Sequence, residues 1–166
     1  WTCMGRNKVI ESVRLHDRRN TQDITRDTLS PVIVLIHGSM DRQAAFARMA
    51  RLLSTTHHVI TFDRRGYGKS VEQRGTFSVD EQVSDLKEIL EQFAAHQQVI
   101  LVGHSFGGVV ALSYAQQFPD AIAGLVIYES PMSWEPWWPK DSGGSAAVAV
   151  ADDPELAAET FMRRFI

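Results

Sequence analysis

The chain has 166 residues, with 17 Lys and Arg against 20 Asp and Glu, a formal net charge of −3, 44% hydrophobic residues and a single cysteine. That length and composition predict one folded domain with a small appendage and argue against a disordered chain. The mild acidity offers neither a basic nucleic-acid patch nor a polybasic membrane anchor, and apolar runs such as Pro31–Ile36 and Ile122–Tyr128 fall far short of the ~18 residues of a membrane helix.

Taken in chain order, Val9, Glu11, Val13 and Leu15 alternate as a strand would, and residues 16–30 are polar, as in a loop or edge hairpin. Val32–Ile36 is a continuous apolar, β-branched run stopped by His37-Gly38, the signature of a strand buried on both faces. Phe46, Met49, Ala50 and Leu53 place one helical face on Gln43–Leu53. His58–Phe62 reads as the next strand, closed by Asp63 and a glycine-bearing turn. Ser78-Val79-Asp80-Glu81 fits a capping box, and Val79, Val83, Leu86, Leu90 and Phe93 form one apolar stripe on the helix it opens. Val99–Val102 is a strand, Gly107–Gln117 a helix ended near Pro119, and Ala123–Tyr128 another strand. The alternation predicts an α/β class with a mostly parallel sheet and helices on both faces. Residues 1–130 read as this core. From 131 the character shifts, with Trp134, Trp137 and Trp138 among prolines, a stretch at Asp141–Gly144 expected to be flexible, and a helix start at Asp153-Pro154 followed by Leu156, Phe161, Met162 and Phe165.

The chemistry concentrates in Gly103-His104-Ser105-Phe106-Gly107-Gly108, a G-x-S-x-G between a strand and a helix. Such a turn strains the serine backbone, requires small neighbours, and presents Oγ at the C-terminal edge of the sheet. The helix N-terminus behind it offers N–H groups to a developing oxyanion. His37-Gly38-Ser39 ends the first buried strand and reads as an oxyanion loop, with Gly38 admitting close approach and the Ser39 N–H facing the substrate.

With Asp63-Arg64-Arg65-Gly66-Tyr67-Gly68-Lys69-Ser70 between those two motifs, and Leu125-Val126-Ile127-Tyr128-Glu129-Ser130-Pro131 after them, the chain resembles the α/β-hydrolase family over about residues 31–131. The resemblance implies Ser105 as nucleophile and the backbone N–H groups of Ser39 and Phe106 as the oxyanion hole, with His37, Gly38, Gly103, His104 and Gly107 as the supporting loop residues. It implies a serine hydrolase acting on an ester or related carbonyl through an acyl-enzyme, with a small, partly apolar substrate and no metal or organic cofactor. Residues 131–166 look like the start of the family's helical cap. The three tryptophans could equally line an apolar mouth or pack that cap. A serine at the elbow weighs against the dehalogenase and epoxide-hydrolase branches, which use aspartate there. No G-x-G-x-x-G follows the first strand, which weighs against a dinucleotide fold.

A nucleophilic serine needs a base and an orienting acid. The histidines stand at 16, 37, 57, 58, 96 and 104, all before Ser105, whereas the family's base follows the last strand. His104 adjoins Ser105 and is expected to point away, and His37 is expected to be a structural hydrogen-bonder. Glu129, at the end of the strand after the elbow helix, is the candidate acid; Asp63 reads as a turn residue. Trp1 in place of Met, and an end at Ile166 within an apolar run, read as cut rather than finished. The rival expectation is therefore a non-catalytic fragment or binding module lacking the base. On that expectation Leu125, Val126 and Ile127 form a sheet edge open to self-association. The first ten residues carry no signal-peptide core, so the cytoplasm is the default compartment.

Overall fold

The computed structural model describes residues 8–17, 30–72, 77–132, 135–137 and 156. The readings at Cys3, Trp134, Trp138, 141–144, Asp153-Pro154, Phe161, Met162 and Phe165 lie outside them. By Cα proximity the chain divides into two units, Trp1–Ser130 and Pro131–Ile166.

In chain order the elements are α1 (Lys8–Ser12), β1 (Arg14–His16), β2 (Val32–Ile36), a 3-10 turn at Gln43–Phe46 running into α2 (Ala47–Leu53), β3 (Val59–Thr61), α3 (Val79–Phe93), β4 (Val99–His104), α4 (Phe106–Gln117) and β5 (Ile122–Tyr128). The five strands form one sheet in the order β1-β3-β2-β4-β5. β1 is antiparallel to β3, and every other pairing is parallel. Central β2 is buried at all five positions, as its unbroken apolar run requires.

Because successive β2 side chains face opposite sides, the strand feeds two cores. Val32, Val34 and Ile36 pack with Leu86, Ile89, Val110 and Tyr114 of α3 and α4 on one face. Ile33 and Leu35 pack with Phe46 and Ala50 on the other. Ser78 caps α3 by accepting the Glu81 N–H at 3.2 Å, as the capping box predicts.

Two expectations are corrected. Val9 and Glu11 belong to helix α1, not a strand, because Val9 and Ser12 share its buried side while Ser12 Oγ donates to the Val9 carbonyl at 2.7 Å. Leu15 does lie in a strand, but exposed. Met49 is exposed as well. The first turn of the expected helix is a 3-10 turn, anchored by the bond from the Gln43 N–H to the Asp63 carboxylate at 2.9 Å.

Candidate active site

The strand-to-helix turn at Ser105 has the strained form that the G-x-S-x-G pattern predicts. Ser105 adopts φ 50°, ψ −125°, a conformation that L-residues rarely hold and that the surroundings must enforce. Its N–H donates to the Tyr128 carbonyl at 2.9 Å, and its own carbonyl accepts from Gly108 N–H at 2.9 Å. The small neighbours are steric necessities: a Cβ at Gly107 would stand 2.2 Å from the Ile36 carbonyl oxygen, and one at Gly103 would stand 2.4 Å from the Gly108 Cα. The helix N-terminus is thus pressed against the end of β2, which brings the two sequence motifs together. A Cβ at Gly38 would lie 2.9 Å from Ser105 Cβ and 3.2 Å from His104 Nδ1. Ser39 follows on the exposed rim. Phe106 opens α4, where the first N–H groups have no acceptor inside the helix.

His37 is fully buried and both ring nitrogens are occupied. Its Nε2 accepts the Arg64 backbone N–H at 2.9 Å, so the proton sits on Nδ1, which donates to the Gly38 carbonyl at 2.8 Å. Burial, reinforced by the Arg64 charge, pushes its pKa down to about 4. It is a neutral strut under the Gly38 loop.

Arg64 completes that strut. Its Nε donates to the His37 carbonyl at 2.7 Å and its Nη2 to the Gly38 carbonyl at 2.8 Å, while Nη1 donates to Gln82 Oε1. The guanidinium lies over the rings of Tyr67, at 4.8 Å, and Phe106, at 5.2 Å.

Asp63 is structural in its bonding. Its carboxylate accepts from the Gln43 N–H, Gln43 Nε2 and the Lys69 N–H at 2.9, 3.1 and 3.0 Å. Burial alone would raise its pKa, but these bonds outweigh that and hold it below the usual carboxylate value.

The other flank is open. Glu129 ends β5 with φ 50°, and its side chain is 69% exposed, 4.0 Å from His104 Nε2. The His104 ring lies 5.2 Å from that of Tyr128. His57, His58 and His96 precede strands β3 and β4, and His16 pairs opposite Val59 at the start of β3. All four sit at the strand ends opposite the elbow. Among the described residues no three His, Cys, Asp or Glu side chains converge as metal ligands would.

A hollow of about 220 Å³ is lined by Ser39, Arg64, Tyr67, Phe77, Gln82 and Phe106. A larger one of about 320 Å³, at Leu15, His16, Asp17, Arg51 and Ser54, is remote from the elbow. Two residues of the site escaped the sequence reading. Arg64 was absorbed into a turn motif, though its position just past a buried strand was a usable signal. Among the described residues the buried Ser130 hydroxyl has no hydrogen-bond partner, and a Cβ on Gly108 would fall 1.7 Å from its Oγ; nothing in the sequence marked it.

A parallel α/β sheet carrying a strained serine between a strand and a helix defines a hydrolase-type scaffold, and residues 31–147 match the alpha/beta hydrolase fold family. The chain belongs to that family. It is 31% identical over 114 residues to epoxide hydrolase B of Mycobacterium tuberculosis, a match covering 67% of this chain and 32% of that protein. Among solved structures it is similar to a monoacylglycerol lipase of Paleococcus ferrophilus, at 31% identity and TM-score 0.57, covering 72% of this chain and 48% of that one. A marine microorganism esterase shares the fold at 21% identity and TM-score 0.65, with 93% of this chain and 57% of that one covered. The chain spans about a third of the length of the curated relatives it matches. Among the described residues no helix is long and apolar enough to cross a membrane.

Proposed function

We propose that this chain carries the nucleophile half of a serine hydrolase that transfers an acyl group from an ester or related carbonyl to water. The observation behind the reading is the Ser105 backbone, held at φ 50° against a Gly38 loop that has no room for a side chain. In the proposed mechanism Ser105 Oγ attacks the carbonyl. The N–H groups of Ser39 and Phe106 receive the oxyanion; its collapse breaks the ester C–O bond and releases the alcohol, which takes up the serine's proton, and water then cleaves the acyl-enzyme to release the acid and restore Ser105. Gly103 and Gly107 keep the turn tight, and His37, through Gly38, holds the oxyanion loop. Glu129 is the candidate acid, with His104 as its neighbour. Residues from Pro131 onward are proposed to begin a cap over a small, partly apolar substrate. Serine rather than aspartate at the elbow favours the carbonyl chemistry of the lipase and esterase relatives over that of the epoxide hydrolases.

The test is intact-protein mass after exposure to an uncharged fluorophosphonate, with Ser105→Ala as control. One adduct is expected, lost in the variant, with hydrolysis of a simple aryl ester falling by roughly a thousand-fold. A chain folded by circular dichroism yet unlabelled would sink the reading in favour of a binding module. The committed nitrogens of His37 are what lends that rival its weight.

We also propose self-association along β5, which pairs only with β4 among the described residues and leaves Val126 50% exposed. Concentration-dependent growth in sedimentation is expected, and Val126→Lys should suppress it. Growth unchanged by the substitution would place the contact elsewhere.

A further inference from the structure

Arg64 and Arg65 are adjacent, both buried, and differently compensated. Arg65, 6% exposed, donates from Nε and Nη2 to Asp85 at 2.6 and 2.7 Å and pairs with Glu81 through Nη1 at 2.9 Å. Arg64, 2% exposed, donates to uncharged acceptors, the carbonyls of His37 and Gly38 and the amide of Gln82, with the Tyr67 hydroxyl as a further hydrogen-bond partner. Among the described residues no carboxylate pairs with it. Asp41 acts on it only as a more distant charge, and burial lowers its pKa from the usual arginine value. A buried cation without a counter-charge is strongly disfavoured, and the rings of Tyr67 and Phe106 offset only part of that.

This cation lines the same hollow as Ser39 and Phe106. At about 220 Å³, the space is below the ~300 Å³ of a drug-sized site, so it suits a short polar-tipped group rather than a whole ligand. Tyr67, Phe77 and Phe106 supply apolar walls for a spacer of a few methylenes.

We propose that the hollow is a carboxylate subsite, in which Arg64 is the counter-charge for an acid group carried on the acyl chain of the substrate. The substrate class is then a half-ester of a short dicarboxylic acid: the free carboxylate seats on the guanidinium while the ester carbonyl reaches the oxyanion N–H groups. This rests on the acyl-transfer reading for the place of the carbonyl, but the charge argument stands on Arg64 alone. Arg64 is a binding residue here and takes no part in bond making.

The experiment is equilibrium binding to the Ser105→Ala chain, which prevents turnover. Monomethyl glutarate is compared by calorimetry with its neutral isostere, methyl 4-carbamoylbutanoate. The carboxylate is expected to bind at least ten-fold more tightly. Replacing Arg64 itself would also release the Gly38 loop, so the informative variant is Gln82→Glu, made in the same background. It keeps an acceptor on Nη1 and supplies the missing negative charge from within, while giving up the bond from Gln82 Nε2 to the Phe77 carbonyl at 3.1 Å; the neutral isostere, expected to keep its affinity, reports that the hollow is intact, and the preference should fall to about one. Equal affinities before the second substitution, a preference that survives Gln82→Glu, or no binding of either compound would each overturn the subsite. A fluorophosphonate failure with the carboxylate preference intact would remove the acyl-transfer reading and leave the subsite standing. Labelling without the preference would do the reverse.

Discussion

The two flanks of Ser105 are built on different terms. On the β2–β3 flank, His37, Arg64 and Asp63 are buried and each is tied to several partners. On the β4–β5 flank, Glu129 is exposed and meets His104 only at 4.0 Å. The closed flank fixes where the backbone of the Gly38 loop must lie, and both ring nitrogens of its histidine are already engaged. On the open flank the backbone is paired, but the side chains of His104 and Glu129 reach solvent. Substitutions on the two flanks should therefore fail in different ways.

The largest effect is expected where the flanks meet. Gly107→Ala puts a methyl group 2.2 Å from the Ile36 carbonyl oxygen, a backbone atom with no rotamer to yield. A loss of about 3 kcal/mol in urea unfolding is expected, together with loss of labelling at Ser105. Unchanged stability would mean that β2 and α4 are not in contact as described.

Next comes His37. Its folded-state pKa of about 4 lies below the ordinary 6.5, so its contribution to stability is complete above pH 6.5 and is lost as the pH falls toward 4. Linkage sets the size of that loss at about 3 kcal/mol as an upper figure. His37→Ala should cost about 2 kcal/mol at pH 7.5, because the Arg64 N–H loses its acceptor, and the gap to wild type should narrow at pH 5. A constant gap would show that the imidazole titrates normally. Asp63→Asn sharpens the contrast on the same flank. The Asp63 pKa is depressed, so its contribution is present above the ordinary carboxylate pKa and lost only as the pH falls below it, a lower window than that of His37. About 1 kcal/mol is expected at neutral pH, closing in acid. A gap that closed in the His37 window instead would assign the wrong group.

The legible parts of this molecule are those that local pattern determines. β2 could be read because five successive apolar residues fit only a strand buried on both faces, and the elbow because G-x-S-x-G stands between a strand and a helix. The α1–β1 segment was misread because Val9, Glu11, Val13 and Leu15 satisfy a period of two. Its helical turn is instead selected by distant partners, with Ser12 Oγ bonded to the Asp63 backbone at 2.9 and 3.2 Å. Arg64 was missed for the same reason. Its bonding depends on carbonyls 26 and 27 residues away, and among the described residues no carboxylate pairs with its guanidinium; no local pattern encodes either. The neighbouring arginines are indistinguishable in the sequence; only the placement of Asp85 and Glu81 on α3 separates them.

The smallest effect on stability is expected at Glu129, and there the comparison is most informative. The carboxylate is exposed, so Glu129→Gln should change unfolding stability by no more than about 0.5 kcal/mol. Its backbone is another matter, because φ 50° is unfavourable for any residue with a Cβ. Gln carries the same strain as Glu, so the substitution isolates the charge. If Glu129 orients a proton acceptor for Ser105, the fluorophosphonate labelling rate should drop by about ten-fold while the unfolding curve stays in place. A rate equal to that of wild type would make Glu129 a rim residue and leave the orienting acid to be found elsewhere. Glu129→Gly separates the two roles further: it relieves the strain and removes the charge, so a gain in stability alongside slower labelling is the expected signature of a position kept for chemistry at the expense of the fold.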